Sequence, residues 1–181
     1  TDNELMYKYG FRDVWESHEV GNENLFLKEL HDRILQQYIV QSQYNMSQST
    51  KLSLLRMLNV DCVTISPYLN ILDIKPYRAG LAKLRCSSHN LQIEKARHKN
   101  QLMAERICEL CHKTYNSYIL EDEYHFVMHC PSYQELRVKY LGTEITDQSY
   151  NNFLTLLNKE DANTVKKLAS FIKRTSKDNC C

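Results

Sequence analysis

The stretch RICELCHKTYNSYILEDEYHFVMHCPSY, residues 106–133, restricts the fold of this chain more than any other. Cys108 and Cys111 are separated by two residues, which lets two thiolates on one tight turn reach a single ion. Thirteen residues then lead to His125. Tyr115 to Leu120 suit a short strand or loop, and the acidic Glu121 and Asp122 suit a helix start. Zinc needs four soft or borderline ligands, which two thiolates, one imidazole and one further Cys or His supply. The fourth has two candidates: Cys130 in a His-x4-Cys spacing, as in zinc knuckles, or His129 in the His-x3-His of a finger helix. Cys130 is favoured, because Pro131 breaks the helix directly after it and turns the thiolate back. His112 reads as a surface or neighbouring group.

The rest of the sequence reads as mainly α-helical. Only 4 Gly and 3 Pro occur in 181 residues, too few breakers for a turn-rich β-sandwich or barrel. The 43% hydrophobic and 25% charged fractions are those of an ordinary globular chain, and no apolar run reaches the roughly 18 residues of a membrane span. Seven cysteines, an odd number with one pair in Cys-x-x-Cys spacing beside histidines, suit metal binding better than a disulfide framework. The start has neither the basic nor the apolar part of a signal peptide. The expectation is therefore part of a longer intracellular protein, in nucleus or cytoplasm, with no membrane partner.

Apolar periodicity predicts the helices. Phe26, Leu27, Leu30, Ile34, Leu35, Tyr38 and Ile39 form one face of a long amphipathic helix after Gly21 and Asn22. Ser49 or Thr50 caps a helix carrying Leu52, Leu55 and Leu58; Pro76 opens one through Leu81 and Leu84; Pro131 opens one through Tyr133, Leu136 and Tyr140 that Gly142 ends. Two further faces follow, with Phe153, Leu154 and Leu157 and with Val165, Leu168, Ala169 and Ile172, separated by the polar stretch 158–163. Such stripes serve helix packing. Trp15 reads as an anchor for the N-terminal segment, and Cys62 and Cys86 as small core residues.

Charge is segregated within a near-neutral total. Residues 75–106 hold 8 basic side chains (Lys75, Arg78, Lys83, Arg85, Lys95, Arg97, Lys99, Arg106) against 2 acidic ones, while residues 1–74 and 107–147 are each net acidic. A basic segment placed just before the Cys/His loop suits phosphate contacts, with Tyr115 and Tyr118 free to stack on unpaired bases of RNA or DNA. The opposing expectation is a solvated helix face on a structural or protein-interaction module, for which zinc binding alone supplies ample stability.

CELC and EDEYHFVMHCP, with the upstream RAGLAKLRCSSHNLQIEKARHKN, resemble the segment that follows the reverse-transcriptase domain in polyproteins of animal non-LTR retrotransposons. The opening YGFRDVWESHEVGNENLFLKELHDRIL and the closing TVKKLASFIKR resemble its flanks, so the likeness runs from Tyr9 to Arg174 and is most specific at the cysteines and histidines. The resemblance implies a Cys-Cys-His-Cys zinc module, with Cys108, Cys111, His125 and Cys130 as ligands, that contacts RNA or target DNA beside the polymerase part of the same polyprotein. No polymerase aspartate motif or endonuclease site is present, so the expectation is a non-catalytic segment.

The sequence thus predicts a helical domain with an embedded zinc knuckle-like module, a short β-turn or hairpin plus a helix. Residues 1–106 form a helical region, 107–142 the zinc-binding module and 143–181 the C-terminal helices. A deaminase signature is absent, since the cysteines come first. Cys180 and Cys181 lack the Cys-a-a-X pattern and read as an ordinary tail. Glu121, Asp122 and Glu123 read as a solvated helix start, because no further carboxylates follow at EF-hand spacing.

Overall fold

The structure is a computed structural model that describes residues 2–61 and 63–178. Cys62, Cys180 and Cys181 lie outside the described residues. The chain is mainly helical and divides into two compact units, Thr1–Gln48 with Asp61–Val63, and Ser49–Val60 with Thr64–Cys181.

The first unit holds α1 (Asp2–Lys8), α2 (Arg12–Ser17) and α3 (Glu23–Gln48). Phe11 is buried with its ring edge against Phe26, centroids 5.1 Å apart. The Arg33 guanidinium lies 4.3 Å over the Phe11 ring and donates to the carbonyls of Tyr9 and Gly10. Gly10 has φ +76, a conformation that favours glycine, and a Cβ there would stand 2.8 Å from Arg33 Nη1 and displace the guanidinium. Trp15 is half-buried near Leu5, Met6, Tyr9, Leu30 and Ile34. The long helix is present, but no residue of its predicted face is fully buried: Phe26, Leu30, Leu35 and Ile39 are half-buried, and Leu27, Ile34 and Tyr38 are exposed. At 26 residues α3 is about 39 Å long. The short α1 and α2 reach it through Phe26, Arg33 and Gln37, all in its first two-thirds.

The second unit is built round its last helix. It comprises α4 (Ser53–Met57), α5 (Tyr68–Ile71), α6 (Lys75–Arg85), α7 (Gln92–Lys95), α8 (Glu109–Tyr115), α9 (Gln134–Leu141), α10 (Tyr150–Leu157) and α11 (Ala162–Asp178). Val165, Leu168, Ala169, Phe171 and Ile172 are buried on α11, which packs against α5, α6 and α9. Asp161 accepts from the backbone N–H of Thr164 and caps this helix. Pro76 sits in the first turn of α6, whose Leu81 and Leu84 are buried, and Gly80 faces Ile172 of α11. Leu54 and Leu58, four residues apart and so on one face, are the buried leucines of the α4 region, while Leu52 and Leu55 are half-buried.

Where a short hairpin was expected, the described residues form no strand. Residues 107–120 are closed by one antiparallel bridge, Ile107 to Leu120. Its flanking hydrogen bonds run from Cys108 N–H to the Ile119 carbonyl at 2.8 Å and from Glu121 N–H to the Arg106 carbonyl at 2.9 Å.

Candidate metal centre

Cys108 ends an extended segment and occupies the N-cap of α8, with Cys111 in the helix's first turn. The His112 N–H donates to the Cys108 carbonyl, Asn116 closes the helix in the left-handed conformation, and the Ser117 N–H returns to the Cys111 carbonyl. The Cys-x-x-Cys pair is thereby held on a compact turn whose ends are tied by the bridge.

The histidine side of the site is a single π-turn, His125–His129, instead of an α-helical one. Asp122 Oδ1 accepts from the His125 N–H at 2.7 Å and caps it. The Cys130 N–H donates to the His125 carbonyl at 2.7 Å, one residue further along than an α-helix would allow. In an α-helix a residue five positions on points well away from the first, whereas the wider turn brings position five back over it. His125 and Cys130 therefore share a side, and His129 is turned out, exposed, with its ring edge against Tyr124 at 4.7 Å. Cys130 then leaves the turn at φ −57, ψ 115, the extended conformation required before Pro131.

Cys108, Cys111, His125 and Cys130 come together, all buried, with one ligand atom from each lying within 4.8 Å of the others. Cys111 Sγ lies 3.4 Å from His125 Nε2 and 3.8 Å from Cys130 Sγ, and Cys108 Sγ lies 3.9 Å from Cys130 Sγ. A disulfide would need about 2.05 Å, so these are free thiols gathered round a point. The arrangement is one that can hold a metal ion. Hydrogen bonding to Cys130 and burial push the Cys108 thiol up to about 12, and the same bond draws the Cys130 thiol down. Burial, with the Cys108 neighbour, pushes Cys111 up to about 11.

The acidic run is not a solvated helix start. Glu121 is buried, its Oε2 accepting from the Gln92 N–H and its carbonyl from the Ile93 N–H. Glu123 Oε1 accepts from the Ser87 hydroxyl at 2.6 Å and meets His89 Nε2 at 2.8 Å. Burial pushes the Glu123 carboxyl up, but the His89 and Ser87 contacts outweigh it and hold it below its ordinary value. Each acid thus ties the metal-side turn to another segment or caps it. Sequence offered one clue to this, three consecutive carboxylates preceding a buried apolar run.

The basic segment is dispersed. Arg85 is buried over the Tyr68 ring and donates to the Leu157 carbonyl. Arg97 pairs with Glu94, Arg106 donates to the carbonyls of Ile93 and Gln101, and Arg78 turns to the Leu69 carbonyl. Lys75, Lys83, Lys95 and Lys99 remain exposed. Tyr115 and Tyr118 are exposed as well, with the Tyr118 ring against His112. Cys86 is half-buried at the end of α6.

No helix among the described residues is long and apolar enough to cross a membrane. Comparison with protein-family models, curated proteins and solved structures gives no match.

Proposed function

We propose that this chain is a zinc-binding module in which Cys108, Cys111, His125 and Cys130 hold one structural Zn2+ that ties the loop 106–121 to the helical core. The observation that carries this reading is the buried convergence of three sulfurs and one imidazole nitrogen. A tetrahedral zinc with Zn–S distances of about 2.3 Å has sulfur–sulfur edges of about 3.8 Å. The separations of 3.8 and 3.9 Å match those edges before any ion is considered. Three thiolates and an imidazole are also the donor set that favours zinc over oxygen-preferring ions. Four protein ligands leave no coordination position for a reacting water, so the reading assigns the ion no catalysis.

Metal analysis by mass spectrometry on the purified, reduced chain tests this. One zinc per chain, lost in Cys130→Ser and retained in His129→Ala, is the expected result. An intact folded chain that takes up no zinc would overturn it.

The resemblance to the segment after retrotransposon reverse transcriptases belongs to the same proposal. It assigns the module to a polyprotein, beside a polymerase part, as a contact for RNA or DNA. The exposed Lys75, Lys83, Lys95 and Lys99 and the exposed rings of Tyr115 and Tyr118 favour nucleic acid. Phosphate contact makes affinity fall steeply with salt. Binding of single-stranded RNA or DNA that weakens with salt, and weakens further in the Lys95→Glu/Lys99→Glu double variant, is expected. Absence of binding at low salt would leave a purely structural or protein-interaction module.

A further inference from the structure

Arg137 on α9 is 1% exposed, and all of its bonds go to neutral acceptors. Its Nε donates to the Val127 carbonyl at 2.8 Å, Nη2 to the Cys130 carbonyl at 2.7 Å and Nη1 to Gln134 Oε1 at 2.7 Å. Arg12, Arg33 and Arg97 each face a glutamate, and Arg85 lies over an aromatic ring. Among the described residues Arg137 has neither a carboxylate nor a ring. A fully buried, uncompensated guanidinium is costly in a low-dielectric interior, so such groups are normally paired with an opposite charge.

A metal ion held by the Cys/His cluster would supply the opposite charge. A divalent ion bound by three thiolates and a neutral imidazole carries one surplus negative charge, and Arg137 is bonded to the backbone of one of those cysteines. We infer that Arg137 is the counter-ion of the metal centre, a positioning residue that offsets the surplus charge of a three-thiolate site while holding the Val127 and Cys130 carbonyls. This rests on the zinc reading above and adds to it a charge requirement. Metal-free, the core holds a lone cation; metal-bound, it holds a neutral pair. Metal uptake thereby completes the electrostatics of α9 as well as the coordination sphere.

Two substitutions separate charge from shape. Arg137→Lys keeps the charge and loses the fork, and Arg137→Gln keeps an amide donor and loses the charge. Zinc affinity is measured by chelator competition, and the protons displaced into solution on binding by isothermal titration calorimetry at neutral pH in buffers of different ionisation enthalpy. The unaltered chain is expected to displace three thiol protons. Arg137→Gln is expected to weaken zinc at least about tenfold and to keep one thiol protonated, while Arg137→Lys stays within about threefold and displaces all three.

Equal weakening by both substitutions, or three protons displaced in Arg137→Gln, reduces Arg137 to a carbonyl clamp and overturns the inference. Only two protons displaced in the unaltered chain overturns it too, since no surplus charge then exists. If Arg137→Gln does not fold, that proton count and the Arg137→Lys affinity decide the matter. Failure of the unaltered chain to bind zinc sinks the zinc reading itself, a distinct result.

Discussion

The backbone N–H of Cys130 donates to the carbonyl of His125 at 2.7 Å, and this i to i+5 bond sets which side chains face the candidate metal centre. It places Cys130 over His125 and turns His129 out to Tyr124. The turn depends on its cap, its exit through a pre-proline residue and the two carbonyls bonded by Arg137.

The cap is testable. Asp122→Ala removes the acceptor for the His125 N–H and should destabilise the metal-free chain by about 1–2 kcal/mol, with Asp122→Asn recovering most of it. Urea unfolding measures both. An unchanged midpoint for Asp122→Ala would show that the turn needs no cap.

The pH dependence should change sign with metal. In the metal-free chain the Cys108 thiol is raised to about 12 and Cys111 to about 11, from an ordinary value of 9.0. A raised thiol contributes stability that is fully present below its unfolded value and lost as pH rises through the folded one. The metal-free melting temperature should therefore fall between about pH 9 and 12. The zinc form needs thiolates, so protons compete with the metal and its stability should fall on the acid side. Thermal unfolding across pH, with and without chelator, reads both; parallel profiles would contradict the ligand assignment.

Arg85 and the exposed lysines should behave as different kinds of basic residue. Arg85→Ala empties a buried site and leaves the Leu157 carbonyl without its donor, at about 1–3 kcal/mol from the lost bond alone. Lys95→Glu and Lys99→Glu should stay within about 0.5 kcal/mol of the parent. Denaturation of the three variants checks this, and equal losses would show that exposure does not set the difference.

Phe171 links the last helix to the metal-side turn. It is 0% exposed, with its ring 5.7 Å from that of Phe126 and 6.5 Å from that of Tyr133. Phe171→Ala should cost about 3–5 kcal/mol in urea unfolding. Because Phe126 follows His125 directly, zinc affinity should fall in the same variant. A stability loss with unchanged affinity would show the core and the site to be energetically separate.

Local pattern determined most of the helices and the ligand spacing. The positions of Pro76, Pro131 and Gly142, the apolar steps of α6, α10 and α11 and the Cys-x-x-Cys pair act within a few residues of themselves, so their consequences can be read along the chain. Tertiary structure alone decided the rest. Pro131 favoured Cys130 over His129 along the chain, but the π-turn, and the bonds by which Arg137 on α9 holds its Val127 and Cys130 carbonyls, appear only in the packed structure. Arg85 and Arg137 are buried, and Glu121 and Glu123 hold distant segments, because α6, α9 and the metal-side turn pack where those side chains find carbonyl, amide and hydroxyl partners. A charge in sequence carries no mark of whether it meets water or a partner. Burial beside a fixed acceptor makes that choice, and burial is a property of the packed chain.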